Sequence, residues 1–185
     1  MRDFLERYRA FSTGKFSFVI DVALFIIITV IFHYLWWHVL GFFRATGFYL
    51  SVSSWLASQV YQASLWLNVN IFGMSIKPDD LTNTMIFFKN NGYVTVNESC
   101  SGFKQFYQIF FLFLLFPGPW KHKLWYIPTS IFIMFIVNIL RIVILSFVVI
   151  HWPAHWDFIH LWIMRPFYYV VIFLEWVIWV EVFKR

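Results

Sequence analysis

A single cysteine in the middle of the sequence is the first residue whose type and position could do chemistry. Cys100 lies within residues 97–102, where a strand-like segment ends and an apolar run begins. A helix N-terminus stabilises a thiolate because its free N–H groups and its dipole are positive. We therefore expect Cys100 in the first turn of a helix as a nucleophile, with Lys104 and Gln108 at successive i+4 positions on its face. The alternative is a small apolar filler, with Lys104 reaching toward the lipid headgroups.

An arginine inside the third apolar run is the second such residue. Arg141 has Asn138 one helical turn earlier on the same face. Because arginine keeps its charge, it needs an anionic partner or a water-filled pocket within a membrane. Glu175 and Glu181 lie toward the opposite end of the last run, which disfavours a simple ion pair with them. A thiolate, a substrate carboxylate or a tetrahedral oxyanion would suit Arg141 better.

A histidine at the start of the last apolar run is the third residue that could do chemistry. His160 follows Asp157 by three residues, so the two side chains could share a helical face. A carboxylate beside an imidazole can orient it and hold it ready for proton transfer. The alternative is a solvated interfacial histidine, like its neighbours His151 and His155. A nucleophile, a permanent cation and a base on three segments are the groups that cysteine acyl transfer needs.

The composition of the chain places these residues in a bilayer. Of 185 residues, 61% are apolar and 12% are charged, whereas a typical soluble chain has about 25% charged residues. The net charge of +5 is divided among short flanks of the apolar runs without a basic patch. It therefore indicates orientation in the membrane, and we expect no nucleic-acid partner.

Cysteine and histidine usage excludes several other kinds of site. One cysteine cannot form an internal disulfide, a CxxC pair or a thiolate zinc cage, nor can it cycle as a dithiol oxidoreductase. A metal site through His151, His155 and His160 needs regular helical spacing, which Pro153 disfavours. We expect no metal and no cofactor.

Apolar runs predict an all-α integral membrane protein with one transmembrane domain over residues 1–185. About 20 helical residues cross a hydrocarbon core, and four runs are candidates. The four predicted spans are residues 16–40, 101–116, 124–150 and 161–183.

The segment between the first two spans, residues 41–99, is expected on the extracytoplasmic side. Within it, residues 48–72 lack charges and alternate polar and apolar faces, which predicts an interfacial or re-entrant helix. The alternation at residues 93–96 follows the turn signal Asn90-Asn91-Gly92 and predicts a short β-like hairpin before Cys100.

The distribution of basic residues favours four spans with both termini in the cytoplasm. If residues 48–72 do not cross the membrane, eight of the basic residues that flank the spans lie in the cytoplasm, including those of residues 1–15. Three lie on the extracytoplasmic side. The first helix has no small-residue cleavage site and is expected to be retained. The three outside are Arg44, Lys77 and Lys89.

The residues around these groups resemble a known family. The block Val-Asn-Glu-Ser-Cys-Ser-Gly-Phe at residues 96–103, Asn-Ile-Leu-Arg ending at Arg141 and Asp-Phe-Ile-His ending at His160 resemble the exosortase/archaeosortase family of integral membrane enzymes. That resemblance implies a cysteine protease or transpeptidase in the inner (cytoplasmic) membrane. Its substrates would be exported proteins with a C-terminal sorting signal of a short motif, a transmembrane helix and a basic tail.

The resemblance also implies roles for particular residues. The family's catalytic residues match Cys100, Arg141 and His160, with the site toward the extracytoplasmic face. The supporting residues are expected to be Asn138, Asp157, Lys104 and Ser101. Membrane lipids surround the chain, and a homo-oligomer or an accessory membrane partner is left open.

Two functions from different classes remain at this point. The first is the membrane cysteine protease or transpeptidase. The second is a non-catalytic membrane protein that binds a transmembrane helix or lipid, with its buried polar residues joining helices by hydrogen bonds.

Overall fold

A computed structural model describes residues 17–39 and 41–184, and the expected basic flank at 1–15 lies outside that part. The described chain is mainly helical. The helices are α1 (Ser17–His38), α2 (Gly41–Arg44), α3 (Gly47–Trp66), α4 (Phe103–Leu115), α5 (Trp120–His151), α6 (Trp156–Phe158) and α7 (Met164–Trp179). Short π-helical segments follow α3, α6 and α7, at Leu67–Ile71, Ile159–Ile163 and Val180–Lys184.

Three helical stretches among the described residues are long and apolar enough to cross a membrane. They are Phe18–His38, Trp120–His151 and Pro153–Phe183. The predicted span at residues 101–116 forms only the 13 residues of α4, which extend over about 20 Å, whereas a hydrocarbon core is about 30 Å thick. The crossing of the membrane by that segment stays a prediction.

Helix α5 runs antiparallel to α4 and to α7, and this arrangement brings three chain segments together. Phe113 of α4 contacts Tyr126 of α5, and Phe106 of α4 lies near Phe135. Contacts between α5 and α7 likewise pair the end of one helix with the start of the other. The start of α4, the second half of α5 and the start of the last helical stretch therefore meet at one end of the bundle.

Helix α3 packs on α5 through a face of small and polar residues. Ser64 Oγ donates to the Ile139 carbonyl at 3.5 Å, and Asn68 Nδ2 donates to Ser146 Oγ at 2.9 Å. The predicted helix at residues 48–72 corresponds to α3 and the segment that follows it, and α3 is not among the three stretches long and apolar enough to span a membrane. Its position at the membrane interface stays a prediction.

A small antiparallel sheet lies between α3 and Cys100. Its strands are β1 (Ile76–Asp79), β2 (Thr84–Phe87) and β3 (Tyr93–Thr95), in the order β1-β2-β3. Strand β1 is an addition to the hairpin predicted from residues 90–96. Its sequence Ile-Lys-Pro-Asp carries a proline and two charges, which is typical of an edge strand. Such a sequence lacks the alternation of polar and apolar residues that indicates a strand.

The sheet is fixed to the end of α5, and this fixes the approach to Cys100. Asn90 Nδ2 donates to the Val149 carbonyl at 2.7 Å. A Cβ atom at Gly92 would lie 2.5 Å from Val149 Cγ1, so glycine is needed for this close approach. Val94 and Val96 are buried, and the Val96 N–H donates to the Asn83 carbonyl at 3.0 Å. The chain therefore enters the site from a fixed strand.

Candidate active site

Cys100 lies in a separate 3₁₀ turn and not in the first turn of α4. The turn is Glu98–Cys100, and the Asn97 side chain caps it by accepting from the Ser99 N–H at 3.1 Å. Gly102 has φ +81° and a Cβ there would lie 3.0 Å from Asn138 Nδ2, so a glycine separates the turn from the helix. The prediction that Cys100 begins α4 is wrong, and so is its place on one helical face with Lys104 and Gln108.

Ser101 links the turn to the helix. The side chain is 1% exposed and its Oγ accepts from the Phe103 N–H at 3.2 Å. This bond satisfies one of the free N–H groups at the start of α4. Ser101 therefore shapes the backbone beside the thiol.

Asn138 holds the backbone of the cysteine from the neighbouring helix. Its side chain is fully buried, and Nδ2 donates to the Cys100 carbonyl at 2.7 Å. Its Oδ1 accepts a short hydrogen bond from the Tyr168 hydroxyl. Both polar atoms of the Asn138 amide therefore make a hydrogen bond.

Arg141 is 6% exposed and makes two side-chain hydrogen bonds. Nη1 donates to the Tyr168 hydroxyl at 3.2 Å, and Nη2 lies 2.8 Å from His160 Nε2. The guanidinium carbon is 5.4 Å from the centre of the Tyr168 ring. Arg141 Nε is buried without a hydrogen-bond partner among the described residues. The cation has neutral partners and retains a free donor.

His160 is held by Arg141 and by an aromatic ring. It lies in the Ile159–Ile163 segment, and its ring stacks on Trp156 with centroids 5.4 Å apart. Guanidinium nitrogens only donate, so His160 Nε2 accepts and the imidazole is neutral with its proton on Nδ1. Asp157 is exposed, and the described part of the chain shows no hydrogen bond between it and His160.

The three predicted residues line one cavity of about 690 Å³. The Cys100 thiol is half-buried there and makes no hydrogen bond to another described residue. Lys104 and Ser101, which were predicted as supporting residues, line the same cavity. The structure thus brings Cys100, Arg141 and His160 together although they lie far apart in the sequence.

The cavity carries an excess of positive charge. Besides Arg141 it is lined by Arg44, Lys104 and Arg165, with Glu98 as its acidic residue. Lys104 and Arg44 lie over the Trp37 ring, each at 5.0 Å, and Arg44 Nε is buried without a partner in the described part of the chain. An anionic group entering the cavity would find complementary charge.

Sequence reasoning missed several of the residues that line the cavity. Arg165 had a signal, because it is a charge inside a predicted span, the same reason that singled out Arg141. Nothing in the sequence distinguished Tyr168 from the other tyrosines of the chain, which has nine. The wall formed by α1, α2 and α3 was also missed, since it depends on packing between distant segments. Its residues are His33, Trp36, Trp37, Arg44 and Tyr49.

Tyr49 is a neutral part of this wall. Its burial raises the pKa of the phenol above the usual value. The hydroxyl therefore stays protonated at neutral pH and adds no negative charge.

The alternative of a histidine metal site finds no support in the described residues. Within residues 17–39 and 41–184, no group of three His, Cys, Asp or Glu side chains could hold a metal ion. His151 instead interacts with the Phe147 carbonyl at 3.1 Å and lies 3.5 Å from Lys89 Nζ.

A comparison with known families identifies the family of this chain. The sequence profile of transmembrane exosortases matches residues 10–178, which is most of the chain and includes all three clustered residues. The chain belongs to the transmembrane exosortase family. The resemblance seen in the sequence is thereby confirmed, and the exosortase is a membrane protein with apolar spanning helices. Comparisons with curated proteins and with solved structures find no match.

Proposed function

We propose that this exosortase is a membrane cysteine protease or transpeptidase that cleaves the C-terminal sorting signals of exported proteins. The supporting observation is that Cys100, Arg141 and His160, from three separate segments, line one cavity. The substrate would carry a short motif, a transmembrane helix and a basic tail, and cleavage would precede the helix. Family membership supports this substrate class.

The proposed chemistry is acyl transfer through a thioester. The Cys100 sulfur attacks the scissile carbonyl carbon, and the carbonyl oxygen becomes an oxyanion that Arg141 stabilises. As the sulfur attacks, the thiol proton passes to His160. Collapse then breaks the C–N bond, and His160 delivers that proton to the leaving amine. Water or an amine then attacks the thioester and regenerates the thiol. Atoms and charge balance without a cofactor.

The resting hydrogen bond between Arg141 and His160 fits this sequence of steps. While His160 Nε2 accepts from Arg141 Nη2 at 2.8 Å, it is not free to take the thiol proton. A substrate carbonyl that gains negative charge is a stronger acceptor for the guanidinium than a neutral imidazole. Movement of Arg141 toward that carbonyl as the sulfur attacks would free Nε2 to take the thiol proton in the same step.

Access and orientation follow from the helices around the cavity. Helix α1 contributes Trp36 and Trp37 to the cavity wall, and Trp37 is 52% exposed on the bundle surface. A substrate helix could therefore approach from the bilayer. We place the cavity toward the extracytoplasmic face of the inner membrane, with four spans and both termini in the cytoplasm, because that arrangement puts the most basic flanks inside.

A non-catalytic protein that binds a helix or lipid is the competing function. The hydrogen bonds that Ser64 and Asn68 make between α3 and α5 favour it, since they use buried polar groups only to join helices. It predicts that the thiol and the imidazole of the cavity are dispensable.

Co-expression with a tagged tripartite sorting-signal substrate tests the proposal. We expect the parent to release the tagged fragment, and we expect Cys100→Ala and His160→Gln to leave the substrate intact at equal protein level. The matched control is His155→Gln, an exposed histidine outside the cavity, which should cleave like the parent. Cleavage by Cys100→Ala at the parent's rate would contradict the proposal and favour the non-catalytic function.

A further inference from the structure

Tyr168 is a buried residue to which the proposed chemistry assigns no role. It lies on α7, is 5% exposed and lines the cavity beside Arg141. Its hydroxyl accepts from Arg141 Nη1 at 3.2 Å and donates to Asn138 Oδ1. Its ring lies 5.4 Å from the guanidinium carbon. The side chain therefore contacts the cation through both its hydroxyl and its π face.

The hydrogen bonds form a directed chain from the cation to the backbone of the nucleophile. Arg141 donates to Tyr168, Tyr168 donates to Asn138, and Asn138 Nδ2 donates to the Cys100 carbonyl at 2.7 Å. Arginine cannot accept and the cysteine carbonyl cannot donate, so the donor direction is fixed at both ends. The tyrosine hydroxyl suits the middle position because it both accepts and donates.

We propose that Tyr168 is a positioning residue that holds the Arg141 guanidinium in place in the cavity that Cys100 also lines. This inference rests on the proposed function, in which Arg141 stabilises charge at the cysteine. Asn138 and Arg141 lie on helix α5, whereas Cys100 does not. The chain of hydrogen bonds therefore connects both the segment that carries the thiol and the Arg141 guanidinium to Tyr168 on α7. Without the hydroxyl, Arg141 retains His160 as a partner and loses the link toward Cys100.

The ratio of two alkylation rates at Cys100 tests this without any substrate. The chain has one cysteine, so iodoacetate and iodoacetamide both report on the same thiol. A cation held near the sulfur favours the anionic reagent over the neutral one, and the ratio cancels changes in access. We expect Tyr168→Phe to lower the iodoacetate-to-iodoacetamide ratio at least threefold, close to the ratio of Arg141→Met.

Tyr126→Phe is the matched control. Tyr126 is also a buried tyrosine whose hydroxyl joins α5 to the last helix, through a 2.6 Å hydrogen bond to the Glu175 carbonyl, and it does not line the cavity. We expect Tyr126→Phe to keep the parent ratio even if it lowers thermal stability. A ratio for Tyr168→Phe equal to that of the parent would overturn the proposal, as would an equal fall in both variants.

A second variant and a kinetic readout keep the test decisive. If Tyr168→Phe does not fold, Asn138→Ala breaks the same chain at the next link and must lower the ratio similarly. In the cleavage assay, Tyr168→Phe should lower kcat about tenfold with KM within twofold, because the substrate still binds. If no variant or parent cleaves any sorting signal while the ratio changes as expected, the proposed reaction fails and the positioning role stands.

Discussion

The two ends of helix α5 use buried polar groups for different purposes. At the end away from the cavity, Lys123 is 4% exposed and its Nζ donates to the carbonyls of Leu114 and Phe116 at 2.9 and 2.7 Å. Those carbonyls lie where α4 ends, and the ammonium is a hydrogen-bond donor to the backbone at that helix end. At the cavity end, Arg141 retains a buried donor without a partner among the described residues.

The difference teaches how to separate a structural cation from a functional one. Lys123 is directed toward backbone acceptors at the end of α4, whereas Arg141 lines a cavity with other cations and bonds only to neutral side chains. Replacing Lys123 should lower the stability of the fold, and replacing Arg141 should lower the rate of the reaction. Four substitutions test that contrast, from the largest expected effect to the smallest.

Arg141→Met should have the largest effect on the reaction. Removing the group that stabilises an oxyanion lowers the rate by about 10²–10³-fold, and methionine keeps an apolar chain of similar length in the site. The measurement is the rate of sorting-signal cleavage by purified protein in lipid nanodiscs. A folded Arg141→Met protein that cleaves within fivefold of the parent would remove Arg141 from the mechanism.

Lys123→Met should destabilise the fold and spare the reaction. It removes the ammonium that donates to two backbone carbonyls, and the loss of a hydrogen-bond partner by a buried polar group costs about 1–3 kcal/mol. We expect a lower free energy of unfolding in a detergent denaturation series, with cleavage per folded molecule unchanged. If the cleavage rate falls as much as in Arg141→Met, the distinction between the two cations is lost.

Asp157→Asn should have a small effect on cleavage. Asp157 is exposed and no hydrogen bond joins it to His160, whose ring is held by Arg141 and Trp156. A carboxylate that orients a catalytic histidine can be worth about 10⁴-fold in rate, so a fall of less than about threefold would separate the two roles. A loss of 100-fold would restore Asp157 as the orienting group.

Glu175→Gln should have the smallest effect. Both side-chain oxygens of Glu175 are buried without a hydrogen-bond partner in the described residues, so glutamine breaks no hydrogen bond there and has the same shape. We expect the free energy of unfolding to stay within about 1 kcal/mol of the parent or to rise. A loss of more than about 2 kcal/mol would show that the carboxylate has a partner in the membrane.

The residues of the candidate site could be chosen from the sequence, but their geometry could not. Cys100, Arg141 and His160 could be chosen because a polar residue in so apolar a chain needs a reason, and because their motifs resemble one family. The position of Cys100 outside α4 could not be predicted, since it depends on the left-handed conformation of Gly102 against Asn138. Tyr168 was missed because its hydroxyl acquires meaning only when α7 packs on α5.

The supporting structure was predicted unevenly for similar reasons. The apolar run that became α5 is long and regular, and the helix Trp120–His151 contains the whole of the predicted span. Strand β1 is short and contains a proline, and it is recognisable only by its pairing with β2. The cavity wall from α1 to α3 depends on contacts between segments that no local pattern encodes.

The most direct test of the central claim is detection of the acyl-enzyme by mass spectrometry. The parent is mixed with a synthetic substrate, quenched in acid and digested. The account predicts that the substrate fragment before the cleavage point is attached to the peptide containing Cys100, that hydroxylamine removes it, and that Cys100→Ala gives neither adduct nor product. Product formation with an adduct on another residue, or undiminished cleavage by Cys100→Ala, would contradict the account.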